Sequence, residues 1–204
     1  MVQTPTKPEI ILILPNSIRL QVTPAQFEAL AIANRDLRLE RKATGELIVN
    51  PPTGWETGKR NFSLTGQLFR WYEAHTELGE AFDSSTGFIL PNGATRSPDA
   101  SWVSRQRWEA LTSEEKGTFP HIYPDFVVEL RSQSDSLSDL QDKMVEYMEN
   151  GALLGWLINP KQREVAIYRQ GQNVEVLQNP VAVSGEDILP GFVLNLPKLW
   201  GYGE

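Results

Sequence analysis

Phe126, Val128 and Leu130 alternate with Asp125, Val127, Glu129 and Arg131. A period of two places three apolar side chains on one face of a strand and three ionisable ones on the other. A helical pattern follows, and then the apolar run Leu153-Leu154-Gly155-Trp156-Leu157-Ile158. Strand, helix, strand is the order of a parallel pair covered on both faces, where a charged side chain costs several kcal/mol unless it is paired or holds an ion.

The rest of the chain punctuates itself in similar terms. Thr23-Pro24-Ala25-Gln26 sets an N-cap, a proline at N1 and a glutamine at N3, and Phe27, Leu30 and Ala31 start an apolar stripe, so a helix is expected to about Asn34. Residues 37–41 and 46–49 flank the turn Ala43-Thr44-Gly45 and predict a hairpin. After the break Pro51-Pro52-Thr53-Gly54, the spacing of Leu64, Leu68, Trp71 and Tyr72 predicts a long amphipathic helix over 56–75. Short strands are expected at 81–83 and 87–90, with a turn at 91–94 leading into a strand over 96–103 that carries Asp99 near its start. Residues 104–116 read as a solvated helix and 117–124 as a loop. Ser136-Leu137-Ser138-Asp139 resembles a capping box, after which Leu137, Leu140, Met144, Tyr147 and Met148 mark the inner face of a helix ending at Asn150-Gly151. Residues 165–169 and 174–177 form a last hairpin.

These elements describe an α/β fold, a central mixed sheet flanked by helices. With 204 residues and 40% hydrophobic content the chain suits one domain, 1–204, in which 1–36 is an N-terminal strand or arm with a helix and 37–200 is the core. There are no cysteines, which excludes disulfides and thiolate chemistry and accords with the cytoplasm. His75 and His121 offer no zinc-binding spacing, so a metal would be a hard cation on oxygen ligands, Mg²⁺ or Mn²⁺. The run Ile10 to Leu14 between Pro8 and Pro15 is too short to span a membrane and reads as a strand or docking arm. A net charge of −7 argues against broad, charge-driven affinity for nucleic acid, while leaving room for a local basic cleft.

The candidate chemistry is hydrolysis of a phosphodiester. That reaction needs an activated water, a phosphate held in line and a stabilised leaving oxygen, and a divalent cation contributes to all three. Magnesium keeps several waters, so Asp99 and Glu129 on neighbouring strands suffice as acidic ligands, with the Leu130 backbone carbonyl as an addition. Arg131 shares the Glu129 face but is always protonated, which suits it to clamp a phosphate rather than accept a proton. Lys143, three residues after Leu140 and four before Tyr147, borders the inner face of its helix and can orient water or stabilise negative charge. Asp125 reads as a strand-entry residue.

Together Glu46 to Gly54, Arg96-Ser97-Pro98-Asp99, Pro124 to Ser132, Lys143 with Tyr147 and Gly151, and Gly155-Trp156-Leu157-Ile158-Asn159-Pro160 resemble the Uma-two group of restriction-endonuclease-like proteins, within the PD-(D/E)XK nuclease superfamily. The resemblance runs from about Leu37 to Trp200. It implies a restriction endonuclease-like fold and Mg²⁺-dependent cleavage of DNA, with Asp99 as the metal-binding aspartate and Glu129 as the second acid. Arg131 stands where the superfamily usually has lysine, and Lys143 matches branches in which that lysine has moved to the following helix. A further acid near the first core helix is implied, with Glu56 or Glu46 as loose matches. Pairing of restriction-like folds, together with the apolar segments 10–14 and 192–196, motivates a homodimer.

Two other function classes fit parts of the pattern. One is a nuclease-fold module that binds nucleic acid or protein without cutting, motivated by Arg131 and the negative charge. The other is a carbohydrate-active enzyme with two carboxylates among tryptophans, which leaves Arg131 and Lys143 without a role. Glu129 and Arg131 can also form a structural ion pair. The six tryptophans can stack on bases or sugars, but read as core and its margins. Arg35, Arg38, Arg41 and Lys42, diluted by Asp36 and Glu40, read as solvated surface.

Overall fold

The computed structural model describes residues 19–116 and 120–201. Helix α1 (Pro24–Ala33) opens with the expected reciprocal cap, the Thr23 hydroxyl accepting from the Gln26 N–H and the Gln26 side chain accepting from the Thr23 N–H. Strands β1 (Arg38–Arg41) and β2 (Leu47–Asn50) form the expected antiparallel hairpin, Arg38 facing Asn50. Helix α2 (Trp55–Glu73) follows and buries Leu64, Leu68 and Trp71. Then come β3 (Gly79–Asp83), β4 (Phe88–Ile89), β5 (Thr95–Arg96), β6 (Ala100–Ser104), α3 (Arg105–Glu109) and α4 (Ser113–Lys116). The second half contains β7 (Phe126–Leu130), α5 (Leu137–Glu149), β8 (Leu154–Asn159), β9 (Glu164–Arg169), β10 (Glu175–Gln178), β11 (Ala182–Ser184), β12 (Val193–Asn195) and α6 (Pro197–Trp200).

The central sheet is mixed, in the order β10-β9-β8-β7-β6-β3, with β7 and β8 parallel as their α5 crossover requires. On one face Phe126, Val128 and Leu130 pack with Leu64, Leu68 and Trp71 of α2 and with Phe192, Leu194 and Leu196. On the other, Val127 and Leu157 pack with Met144 and Tyr147 of α5. The alternation read along β7 therefore assigns its faces correctly, and Glu129 emerges on the α5 side. A second sheet, β2-β1-β5-β4, and the small hairpin β11-β12 complete the strand arrangement.

Three expectations change. Residues 96–103 are not one strand, because Pro98 lacks the N–H a ladder needs and the chain changes sheets there. Thus β5 pairs with β1 and β4, whereas β6 pairs with β3 and β7, and Asp99 lies in the crossing with its N–H donated to the Val128 carbonyl. Residues 104–116 are two short helices rather than one. Thr112 and Glu115 make a new reciprocal cap, through Thr112 N–H to Glu115 and Glu115 N–H to Thr112 Oγ1, which restarts the helix. Finally, Phe192, Leu194 and Leu196 are spent on the core, so this segment no longer motivates pairing of two copies. The 10–14 run lies outside the described residues. Among those described, no helix is long and apolar enough to cross a membrane.

Candidate active site

Asp99 and Glu129 reach one cleft of about 510 Å³. The crossing into β6 sets Asp99 beside the end of β7, where its Oδ2 accepts the Leu130 N–H at 2.8 Å. Its Oδ1 faces Asn61 Nδ2 at 3.4 Å and Arg38 at 3.8 Å. Glu129 is held from α5: its Oε1 receives Lys143 Nζ at 2.8 Å and the Tyr147 hydroxyl at 3.0 Å. With Oε1 committed, Oε2 is the oxygen available to a ligand in the cleft. Lys143 and Tyr147 stand four residues apart on one helix face, so the packing that buries Tyr147 also aims Lys143.

Lys143 is also 2.9 Å from Glu40 Oε1, and this acid was not among the site residues expected from sequence. Glu40 is 3% exposed on β1, accepts from the Ser97 N–H at 3.1 Å and pairs with Arg96 at 3.3 Å. Arg96 in turn holds Glu146 of α5 at 2.5 Å. The chain Glu129–Lys143–Glu40–Arg96–Glu146 thus alternates in sign across both sheets and α5. The sequence predicts a hairpin strand over residues 37–41 but reads the charges around Arg38 and Glu40 as solvated surface. Yet β1 lies between β2 and β5, and a charge on an inner strand needs a partner for the same reason as Glu129.

Several sequence expectations meet different surroundings here. Arg41 is buried and donates to the carbonyls of Val22 and Gly93 rather than to solvent, and Arg38 faces Asp99. Glu46 is occupied by Lys42 and Arg19, and Glu56 lines the cleft with an exposed side chain 3.6 Å from Arg60. Arg131 does not pair with Glu129; its Nε donates to the Asp135 carbonyl, and its side chain lines a neighbouring pocket. Asp125 is scaffold: it caps the Ser104 N–H at 2.7 Å and pairs with Arg107 at 3.2 Å. Trp71, Trp102 and Trp156 are core, but Trp55 is 96% exposed at the cleft.

The electrostatics of the two acids differ from those of Glu40. Burial pushes Glu129 up to about 7 against the pull of Lys143, and the negative charges of Asp99 and Glu40 add to the rise. Burial likewise raises Asp99, the Leu130 N–H and Lys143 offsetting only part. Burial acts in the same direction on Glu40, but Lys143 and Arg96 outweigh it and hold Glu40 below the usual carboxylate range. Burial opposes the Lys143 charge, yet Glu129 and Glu40 more than compensate and raise it, so at neutral pH this side chain is an ammonium. It can orient a carboxylate or stabilise negative charge; as it stands it does not accept a proton.

Among the described residues no group of three or more His, Asp and Glu side chains converges in a metal-holding arrangement. Two carboxylates nevertheless suit a magnesium-like ion, which retains water on its other positions. Burial, which raises both Asp99 and Glu129, opposes their charged forms, and a bound divalent cation would favour them. The donor set fits a hard divalent cation.

The model of the Uma2 family, described as "Putative restriction endonuclease", matches residues 24–197. Among solved structures, the chain is similar to one described as a "putative nuclease belonging to DUF820" from Anabaena variabilis ATCC 29413. The TM-score is 0.72 and the identity 21%, over 88% of this chain and 97% of that one, a likeness of fold. No curated protein matches.

Proposed function

The chain belongs to the Uma2 family, and on that premise we propose that it is a divalent-cation-dependent nuclease hydrolysing phosphodiester bonds in DNA. The observation that carries this reading is that Asp99 lines the same cleft as a Glu129 whose orientation is fixed by the Lys143 ammonium 2.8 Å away. In it, Asp99 and Glu129, with the Leu130 carbonyl, are the residues that would hold Mg²⁺ or Mn²⁺. When bound, such an ion would supply polarisation of the phosphate and activation of a water near neutral pH.

The chain's own groups do the rest. The Leu130 N–H fixes one Asp99 oxygen, and the other faces Asn61 and Arg38. Lys143 and Tyr147 lock Glu129 by its Oε1, so the second oxygen is presented without rotation. The Lys143 ammonium also offsets charge that develops as the phosphate is attacked. Arg38, beside Asp99, neutralises a non-bridging phosphate oxygen. The Trp55 indole offers a face to a nucleobase.

Plasmid nicking with Mg²⁺ or Mn²⁺ tests the proposal. Asp99→Ala and Glu129→Ala are expected to lower the rate by about 10² or more, the scale of a lost electrostatic contributor. A wild-type protein that cuts none of supercoiled, linear or single-stranded DNA with either ion would sink it. That result would favour a module that binds without cutting, a reading supported by the engagement of Lys143 with two acids at once.

A further inference from the structure

We propose that a second pocket, at the carboxyl ends of β7 and β8, binds a phosphate of the DNA strand next to the one that is cut; this rests on the nuclease reading above. The topology places it. β7 and β8 run parallel with Leu130 opposite Ile158, and the Arg131 N–H bonds to the Ile158 carbonyl at 2.9 Å, so both strands end at one level. Ligand sites of open α/β sheets lie outside the carboxyl ends of parallel strands. Here β7 leads directly into Arg131-Ser132-Gln133 and β8 into Pro160-Lys161, and Arg60 of α2 closes the side.

The pocket measures about 420 Å³ and is lined by Arg60, Arg131, Ser132, Gln133, Pro160 and Lys161. Three cations and no carboxylate meet there, in a chain with 26 acidic and 19 basic residues. Two of the cations are anchored by their inner nitrogens. Arg60 Nε donates to the Leu199 carbonyl at 2.8 Å, and Arg131 Nε donates to the Asp135 carbonyl at 3.3 Å. Such anchoring lowers the entropy lost when the outer guanidinium nitrogens take a ligand. Among the described residues, neither Arg131 nor Lys161 forms an ion pair, and the Glu56 partner of Arg60 is 3.6 Å away with a 65% exposed side chain. Gln133 adds a neutral donor, while the Ser132 N–H is already held by Asp135 Oδ2 at 2.7 Å and its hydroxyl faces Ser134 at 3.1 Å, so the pocket suits an anion with several acceptor oxygens.

Continuity with the cleft identifies which anion. Arg60, Ser132 and Gln133 line both the pocket and the cleft that holds Asp99 and Glu129. A carboxylate site for a cation abutting a cation-only pocket matches a polymer that carries one phosphate per nucleotide, the first at the metal and its neighbour at the arginines. The same arrangement gives Arg131, which bonds to Asp135 rather than to Glu129, a reason to be basic. It also reconciles DNA as substrate with a net charge of −7, because the positive charge is concentrated where the strand runs.

The test is the binding of fluorescein-labelled DNA, single-stranded and duplex, to the full chain in a chelator, followed by anisotropy as salt is raised. For Arg131→Gln/Lys161→Gln, the slope of log affinity against log salt is expected to fall by about 1 to 2, with affinity at moderate salt reduced about tenfold. Arg131→Lys/Lys161→Arg should restore most of both. Lys161→Gln alone, at an exposed residue, should lower the slope by about 1 while leaving the melting temperature unchanged. If wild type cuts DNA but these variants keep its affinity and salt slope, the pocket is solvated surface and only the nuclease reading stands. If wild type neither binds nor cuts, both fall together.

Discussion

Glu129 has the most unusual environment of the acids that line the cleft. Burial lifts it from 4.5 to about 7, so between those values the folded chain binds a proton more tightly than the unfolded chain does. Its contribution to stability is complete below about pH 4.5 and is lost as the pH climbs through 7. In a chelator, the wild-type melting temperature should fall more between pH 5 and pH 8 than that of Glu129→Gln, which has no proton to lose there. Equal falls would mean that Glu129 is ordinarily ionised. Trp55 poses the opposite case, a large apolar surface left in water at 96% exposure. Trp55→Ala should leave stability to urea within about 0.5 kcal/mol, while weakening single-stranded DNA binding by about 1 to 3 kcal/mol. A variant that binds as tightly as wild type would remove Trp55 from the substrate path. At this scale the sequence conveyed chemistry better than surroundings. Asp99, Glu129 and Lys143 stand out as a candidate set because their types and order are distinctive, and the structure does bring Lys143 to Glu129. Glu40 does not stand out, since a short alternating strand does not reveal whether neighbours will cover it.

Helix α5 is the element on which the site depends. One face buries Met144 and Tyr147 against the central sheet, and the same face carries Lys143 to Glu129 and Glu40 and Glu146 to Arg96. Its register is set at both ends, by the Ser136 hydroxyl accepting from the Asp139 N–H and by Gly151 at φ +102°. A side chain at Gly151 would be strained in that conformation and would run into the Tyr123 ring. Gly151→Ala should therefore cost about 1 to 3 kcal/mol in urea denaturation; no loss would show that the helix end can shift at little cost. Both ends of α5 were readable beforehand, as were α1 and the β7–α5–β8 unit, because caps and periodicity are local signals. The break at Pro98 was harder. An apolar run continues past it in Ala100, Trp102 and Val103, and only tertiary pairing separates the strand that joins β1 from the strand that joins β7.

For the whole molecule, the central expectation is that a divalent cation stabilises the fold through Asp99 and Glu129. A ligand that binds only the folded state adds about 2.7 kcal/mol at a hundredfold excess over its Kd. Titrating Mg²⁺ or Mn²⁺ should raise the melting temperature of wild type and leave Asp99→Asn/Glu129→Gln unmoved; a shift that survives both substitutions would place the ion elsewhere. The α/β architecture and its mixed central sheet followed from the order of elements. The way the second sheet completes the site did not, because that requires knowing which side chains meet across the gap between sheets. The line from Glu129 through Lys143 to Glu40 and Arg96 has one further consequence. It is a tie between layers, and a partly assembled chain in which the β1–β2 hairpin has not yet docked leaves Lys143 with one acid and Arg96 without Glu40. On the proposed reading, cutting competence is gated by completion of the fold: a half-built molecule carries the scissors with the blades unaligned.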